Sequence, residues 1–116
     1  MQVSAGLGHS LALRRDGRVF GWPGSPGEWC AGCIPTIAAV AKFVAAGDDG
    51  HSVVILPNNR VFAWGRCIDG QCAVPPELGP AIQVAGGGTH TLALRADGKV
   101  FAWGNNGSGQ CEVPAS

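Results

Sequence analysis

The sequence predicts an all-β protein in which one unit is written three times within 116 residues. Each unit has a run of small residues, a histidine, an apolar stretch, a tight turn and a closing aromatic stretch. A tryptophan follows each histidine by 13 residues, and a cysteine follows each tryptophan by 8 residues. These residues are His9, Trp22 and Cys30; His51, Trp64 and Cys72; and His90, Trp103 and Cys111. The histidines are 42 and then 39 residues apart, a period typical of units that bury their apolar surface only against neighbouring units.

The second half of each unit predicts a β-hairpin. In the third unit two apolar runs flank Asp97-Gly98, a pair that readily adopts a type I′ turn. Asp16-Gly17 takes this place in the first unit and Asn58-Asn59 in the second, and asparagine also tolerates left-handed backbone geometry. The predicted hairpins span about residues 11–22, 53–64 and 92–103. No helix longer than one turn is expected, even across the apolar stretch 37–46.

The remaining strands of each unit follow from small residues and from proline. Residues 3–6, 44–47 and 84–87 are rich in alanine and glycine, which suits an innermost strand where backbones approach closely. Segments 69–75 and 108–114 end in proline, which is tolerated at a sheet edge. The prediction is therefore a β-propeller segment of three four-stranded antiparallel blades in an incomplete ring. Residues 1–116 form one segment, with repeats at about 2–43, 44–83 and 84–116.

Residues 84–110, VAGGGTHTLALRADGKVFAWGNNGSGQ, resemble the repeat of the regulator of chromosome condensation family. The ending Gly-Gln-x-x-Val-Pro is similar to that of members that inhibit β-lactamases. The resemblance implies a β-propeller, usually with seven blades, so that three units cover only part of a ring. The first unit departs from the pattern, because Trp22-Pro23 replaces Trp-Gly and Trp29 stands in place of glutamine. A distorted outer strand is expected in that blade.

Charge and hydropathy exclude several classes of partner. Eight basic residues balance eight acidic residues, and no cluster of lysine and arginine is visible along the sequence, so neither nucleic acid nor an anionic membrane is expected as a partner. Residues 1–10 lack the pattern of a secretory signal. Residues 37–46 are interrupted by Lys42 and are half as long as a membrane span. An intracellular location, cytoplasmic or nuclear, is expected.

The recurring histidines are interpreted as structural, with each ring bonding nearby backbone at the start of a strand. The alternative, a ring of imidazoles that binds a metal or an anion, lacks carboxylates to orient the rings. Each histidine precedes a serine or threonine, but adjacent residues of a strand point to opposite faces, so they are not expected to form a nucleophile and its base. We therefore expect no catalytic residue, no cofactor, no metal site and no enzymatic activity.

The five cysteines are expected to be reduced and free of metal, since an odd number fits a reducing compartment. Cys30-x-x-Cys33 followed by Cys67 and Cys72 is similar to the half-motifs of a zinc site. However, the recurring cysteines belong to separate blades, which keeps their thiols apart. Buried apolar thiols are the favoured interpretation.

Binding residues are sought where the units differ, because the residues that agree serve the fold. Leu7, Asp48, Asp49 and Thr89 lie in the loops before the histidines, and Trp29 lies outside the repeated positions. Trp29 is either an interface anchor or a loop residue packed on its own blade, and it is expected to matter less for stability than Trp103. These five residues are the predicted partner-binding site.

The predicted function is a non-enzymatic scaffold that binds a protein partner, whose identity the sequence does not give, through the blade loops. The family resemblance implies three alternatives: nucleotide exchange on a small GTPase, substrate recognition within a ubiquitin ligase, or inhibition of an enzyme. Three blades leave two apolar flanks, so self-association or a longer parent chain is also expected.

Overall fold

The computed structural model describes residues 2–6, 9–23, 38–47, 50–65, 70, 72–107, 109 and 111–113. These residues form nine strands: β1 (Gln2–Ala5), β2 (His9–Leu13), β3 (Val19–Pro23), β4 (Phe43–Ala46), β5 (His51–Ile55), β6 (Val61–Gly65), β7 (Ala81–Gly86), β8 (His90–Arg95) and β9 (Val100–Gly104). They pair as three antiparallel sheets, ordered β1-β2-β3, β4-β5-β6 and β7-β8-β9. The all-β class and the three repeated units are confirmed.

The hairpins β2–β3, β5–β6 and β8–β9 are also confirmed. The predicted type I′ turn is wrong, because Asn59 is the only described residue other than glycine with a positive φ. Only the last turn position is left-handed, at Gly17 (φ 91°), Asn59 (φ 69°) and Gly98 (φ 91°). In each turn the preceding Asp or Asn side chain accepts a hydrogen bond from the N–H two residues further on, at 3.0 to 3.1 Å. This local bond favours a turn with one left-handed residue instead of two.

Each sheet has three strands in the described part of the chain, whereas four were predicted. The candidate outer segments use their backbone groups in local turns. The N–H of Ala73 donates to the carbonyl of Gly70 at 3.0 Å, and the N–H of Glu112 donates to the carbonyl of Gly109 at 3.1 Å. These N–H groups are therefore not free to join a ladder.

The ambiguous stretch 37–46 forms strand β4 in its second half, while Ile37 lies outside the described residues. Its first half connects to the first hairpin, because the N–H of Val19 donates to the carbonyl of Ala39 at 3.0 Å. Within the described ranges the structure shows no helix that is long and apolar enough to cross a membrane.

The sheets stack side by side, with β1, β4 and β7 innermost. A Cβ built on Gly86 would lie 2.8 Å from the backbone nitrogen of Gly47, so β7 and β4 approach backbone to backbone. This contact explains why alanine and glycine fill the inner strands.

The apolar core lies between the sheets and not within any one of them. One buried cluster joins the first and second sheets: Leu11, Leu13, Val19, Ala38, Ala41, Val44, Ala46 and Val54. A second joins the second and third sheets: Ala45, Val53, Ile55, Leu78, Ala81, Val84, Ala93 and Trp103. Each unit is therefore stabilised by its neighbours, as the repeat period predicts.

Candidate functional site

The strand ends form two opposite faces of the molecule, because neighbouring strands run antiparallel. The histidine face is defined by His9, His51 and His90, at the starts of β2, β5 and β8. The hairpin face is defined by the turns at residues 14–18, 56–60 and 95–99, at the opposite ends of the same strands. Strands β1 and β4 lie side by side, since the Gln2 side chain of β1 bonds the backbone of Val44 in β4.

Four of the five predicted partner-binding residues, Leu7, Trp29, Asp48 and Asp49, lie outside the described residues. Thr89 is described, and it lies half-buried at the histidine face. Its carbonyl accepts a hydrogen bond from the N–H of Asn105 at 2.9 Å. The partner-binding role of these residues stays a prediction.

The histidines form side-chain joints between neighbouring units. His9 Nε2 lies 2.9 Å from the Ser52 hydroxyl, and His51 Nε2 lies 3.1 Å from the Thr91 hydroxyl. All four residues are buried. The expectation of nearby backbone as the partner missed these bonds, in which the rings of His9 and His51 contact the hydroxyl that follows the histidine of the next unit. The recurring His-Ser and His-Thr pairs carried this signal, but sequence reasoning considered contacts only within one pair.

An imidazole beside a hydroxyl has the composition of a nucleophile and its base. Here Ser52 and Thr91 have no exposed surface, so a substrate would have to separate two blades to reach them. The described residues contain no cluster of three potential metal ligands among His, Cys, Asp and Glu side chains. The joint occurs twice with the same geometry, which suits a structural tie.

Burial lowers the pKa of His9, and a hydrogen bond with the backbone of His51 opposes this shift as the smaller effect. Because the folded pKa lies below the usual 6.5, the unfolded chain binds the proton more readily. The stability contributed by neutral His9 is fully present above the unfolded pKa and is lost as the pH falls through the folded pKa.

We therefore expect the free energy of unfolding to decrease between pH 7.5 and pH 5, as measured by urea denaturation at each pH. In the matched variant His9→Gln, which retains an amide able to bond Ser52, the decrease should be smaller because one titrating group is gone. An identical pH dependence in both proteins would show that His9 does not couple protonation to folding.

The hairpin face collects most of the basic residues of the chain. Seven of the eight lysines and arginines lie there: Arg14, Arg15, Arg18, Lys42, Arg60, Arg95 and Lys99. Among the described residues, three acidic residues lie at the same face: Asp16, Glu77 and Asp97. The described residues of this face therefore carry an excess of four positive charges, while four other acidic residues, Glu28, Asp48, Asp49 and Asp69, lie outside the described part of the chain. These cations are separated along the sequence, and the repeat brings them from distant segments to one face.

Two arginines of this face are held in place. Arg14 pairs with Asp16 at 3.0 Å, and its guanidinium lies 5.4 Å from the centre of the Phe20 ring. Arg95 pairs with Asp97 in the same way, and hydrogen bonds from the Arg95 side chain and the Lys99 backbone lower the pKa of the Asp97 carboxyl. This carboxylate therefore remains ionised with its neighbouring arginine.

The other cations of the face remain available for a partner. Arg15, Arg18, Arg60 and Lys99 are exposed, and none of them pairs with an acidic side chain in the described part of the chain. Such charges favour association with an acidic surface.

The cysteine prediction is wrong for Cys72, which is disulfide-bonded. Cys111 is a free thiol whose Sγ lies 3.3 Å from the carbonyl oxygen of Asn105. Cys30, Cys33 and Cys67 lie outside the described residues.

Comparison with known proteins agrees with this architecture. Residues 2–22 and 81–110 match the regulator of chromosome condensation (RCC1) repeat. The human probable E3 ubiquitin-protein ligase HERC6 is 33% identical over 87 residues, which cover 66% of this chain and 8% of HERC6. The structure of human WBSCR16 matches with a TM-score of 0.78 and 28% identity over 100% of this chain and 36% of that one. The structure of Prp20p from Saccharomyces cerevisiae matches with a TM-score of 0.71 and 25% identity over 97% of this chain and 32% of that one.

The stacked sheets and the joints between them define a repeat protein of the β-propeller class. Its repeats are similar to those of the regulator of chromosome condensation family, whose repeat matches at residues 2–22 and 81–110. It spans about a third of these solved structures and 8% of HERC6.

Proposed function

We propose that this chain is a non-enzymatic scaffold that binds the acidic surface of a partner protein through its hairpin face. The observation that carries the proposal is that seven cations and three carboxylates lie at this face among the described residues, an excess of four positive charges. Four cations there have no ion-pair partner within the described residues, whereas the His9 and His51 imidazoles at the opposite end are occupied in joints between blades. The accessible chemistry of the hairpin face is therefore electrostatic recognition.

The solved relatives support a protein partner over a small molecule or a nucleic acid. Binding of Prp20p to Gsp1p and to histones was characterised together with its structure, so that this related propeller binds proteins. A face with four excess charges is also weakly basic by the standard of duplex DNA binding, which requires many phosphate contacts.

Absence of enzymatic activity is part of the proposal. It is supported by the complete burial of Ser52 and Thr91, the hydroxyls that lie beside imidazoles. A second candidate function is substrate recognition within a larger ubiquitin ligase, which the similarity to HERC6 favours. In that case the chain would still act by binding a protein, and another part of the polypeptide would carry the chemistry.

The face is tested by charge reversal. In the variant Arg15→Glu, Arg60→Glu, Lys99→Glu, three exposed cations become anions, and all three lie in turns where a side chain can change without disturbing the core. The matched control is Thr89→Glu, which adds a negative charge to the histidine face instead. Binding of a fluorescent deca-glutamate peptide at low and physiological salt measures the electrostatic component, and capture of proteins from a cell extract measures partner selection.

We expect the triple variant to lose peptide binding by at least about tenfold and to lose the captured partner, with little change for Thr89→Glu. Equal peptide binding by the triple variant would overturn the assignment of the hairpin face. Loss of the partner with Thr89→Glu alone would move the interface to the histidine face, and tighter binding of duplex DNA than of the peptide would contradict a protein partner.

A further inference from the structure

The two ends of the stack present complementary surfaces. The head flank is the outer surface of the first sheet, with Val3, Phe20 and Trp22. The tail flank is the outer surface of the third sheet, with Gln83 and Val100. Inside the molecule, the tail side of each unit packs on the head side of the next, through the two apolar clusters. The exposed flanks therefore repeat the two halves of an interface that the chain already forms twice.

Residues of the head flank are far more exposed than their equivalents in the other two sheets. Val3 is 75% exposed, whereas its equivalents Val44 and Val84 are 0% and 4% exposed. Trp22 is 54% exposed, and its equivalent Trp103 is 8% exposed. The same residue types at the same positions are thus core residues where a neighbouring sheet packs on them and surface residues on the first sheet.

On the tail flank, it is residues of the third sheet that are exposed while their equivalents in the first sheet are buried. Val100 is 42% exposed, whereas its equivalent Val19 is 7% exposed because the second sheet covers it. Val100 and the half-buried Leu92 and Leu94 line an open cleft of about 200 Å³, whose walls are mostly apolar. An apolar side chain from another unit would fill this cleft, as apolar residues of the second sheet cover the same position in the first.

Polar groups on the flanks are also complementary. Within the chain, the Gln2 side chain accepts from the N–H of Val44 at 3.0 Å and donates to the carbonyl of Val44 at 2.9 Å. The equivalent of Gln2 in the third unit is Gln83, which is exposed on the tail flank, and the equivalent of Val44 in the first unit is Val3 on the head flank. Gln83 is therefore placed to bond the backbone of a following inner strand.

The two flanks also carry the two halves of a further histidine–hydroxyl joint. His9 bonds Ser52, and His51 bonds Thr91, so the next donor or acceptor in the series is the His90 ring. The equivalent of Ser52 and Thr91 in the first unit is Ser10. One end of the stack thus offers a half-buried imidazole, and the other end offers the hydroxyl that would complete its joint.

We propose that the tail flank of one copy binds the head flank of a second copy in the manner of consecutive blades. In this interface His90 of one copy bonds Ser10 of the other, and Gln83 bonds the backbone of Val3. A second copy is the occupant that the structure favours, because it carries the complementary apolar and polar groups in the required register. The contact is heterologous, so it closes into a ring when the rotation per unit permits and otherwise extends as an array.

Two blocking variants test the direction of the contact. Val3→Arg disables the head flank, and Val100→Arg disables the tail flank, each at an exposed position. We expect the unaltered chain to associate at micromolar concentration in sedimentation velocity, and each blocked variant to sediment as a folded monomer. An equimolar mixture should form a one-to-one complex that does not grow, because one intact tail meets one intact head.

The proposed hydrogen bonds across the interface are tested by adding the substitution Gln83→Ala to either the Val3→Arg or the Val100→Arg copy. In the Val3→Arg copy, whose tail is used, the substitution should weaken the mixed complex by about fivefold to tenfold. In the Val100→Arg copy, whose tail is not used, the same substitution should have no effect. Ser10→Ala should show the reverse dependence, weakening the complex only in the Val100→Arg copy.

Three results would overturn the proposal. The first is a well-folded unaltered chain that remains monomeric over the whole concentration range. The second is self-association by either blocked variant alone, which would indicate a head-to-head or tail-to-tail contact. The third is an equal effect of Gln83→Ala in both copies, which would show that the residue acts on folding and not on the interface.

Discussion

Replacing Trp103 by alanine should lower the free energy of unfolding by about 3–5 kcal/mol, because it empties a large buried aromatic position. Trp103 is 8% exposed and belongs to the cluster that joins the second and third sheets. The cavity would lie between two units, where each sheet obtains its stability from the other. Urea denaturation followed by circular dichroism measures the change.

The control is Trp22→Ala, the same substitution at the same repeated position. Trp22 is 54% exposed on the head flank, so its loss should cost about 1 kcal/mol or less when measured at a protein concentration too low for the proposed association. Equal costs for the two substitutions would mean that burial between units does not govern the stability of this position. The contrast between Trp103 and Trp29 stays a prediction, since Trp29 lies outside the described residues.

Replacing Gly47 by alanine should be the second most costly change, by about 3 kcal/mol or more. A Cβ at this position would lie 2.1 Å from Cε1 and 2.3 Å from Nδ1 of the His51 ring, which is completely buried. The added methyl group must displace a rigid imidazole, and that displacement breaks the joint to Thr91. Overpacking and a broken buried hydrogen bond each contribute about 1–3 kcal/mol.

The matched control is Gly88→Ala, where a Cβ would meet no atom within 4 Å. This substitution should change the stability by less than about 0.5 kcal/mol. The double variant Gly47→Ala, His51→Ala should lose clearly less free energy of unfolding than the sum of the losses of the two single variants, because removal of the ring makes room for the methyl group. Additive losses would show that Gly47 and His51 do not contact each other in solution.

The sequence by itself determined the features that depend on local geometry and regular spacing. The hairpins follow from apolar runs on both sides of Asp16-Gly17, Asn58-Asn59 and Asp97-Gly98, where a left-handed residue is needed. The inner strands follow from runs of alanine and glycine, because only small residues permit the approach of Gly86 to Gly47. The similarity to the regulator of chromosome condensation repeat rested on the residue pattern of 84–110, a segment that the repeat model also matches.

Only the tertiary structure decided which groups from different units meet. The bonds of His9 to Ser52 and of His51 to Thr91, and the gathering of cations on the hairpin face, join residues that are far apart in the sequence. The absence of a fourth strand from the described residues depends on competition between local turns and a ladder, and composition alone does not settle that competition. Residue pattern fixes the conformation of each unit through local φ angles and hydrogen bonds, whereas the charge, exposure and bonding of its side chains are set by the neighbours against which it packs.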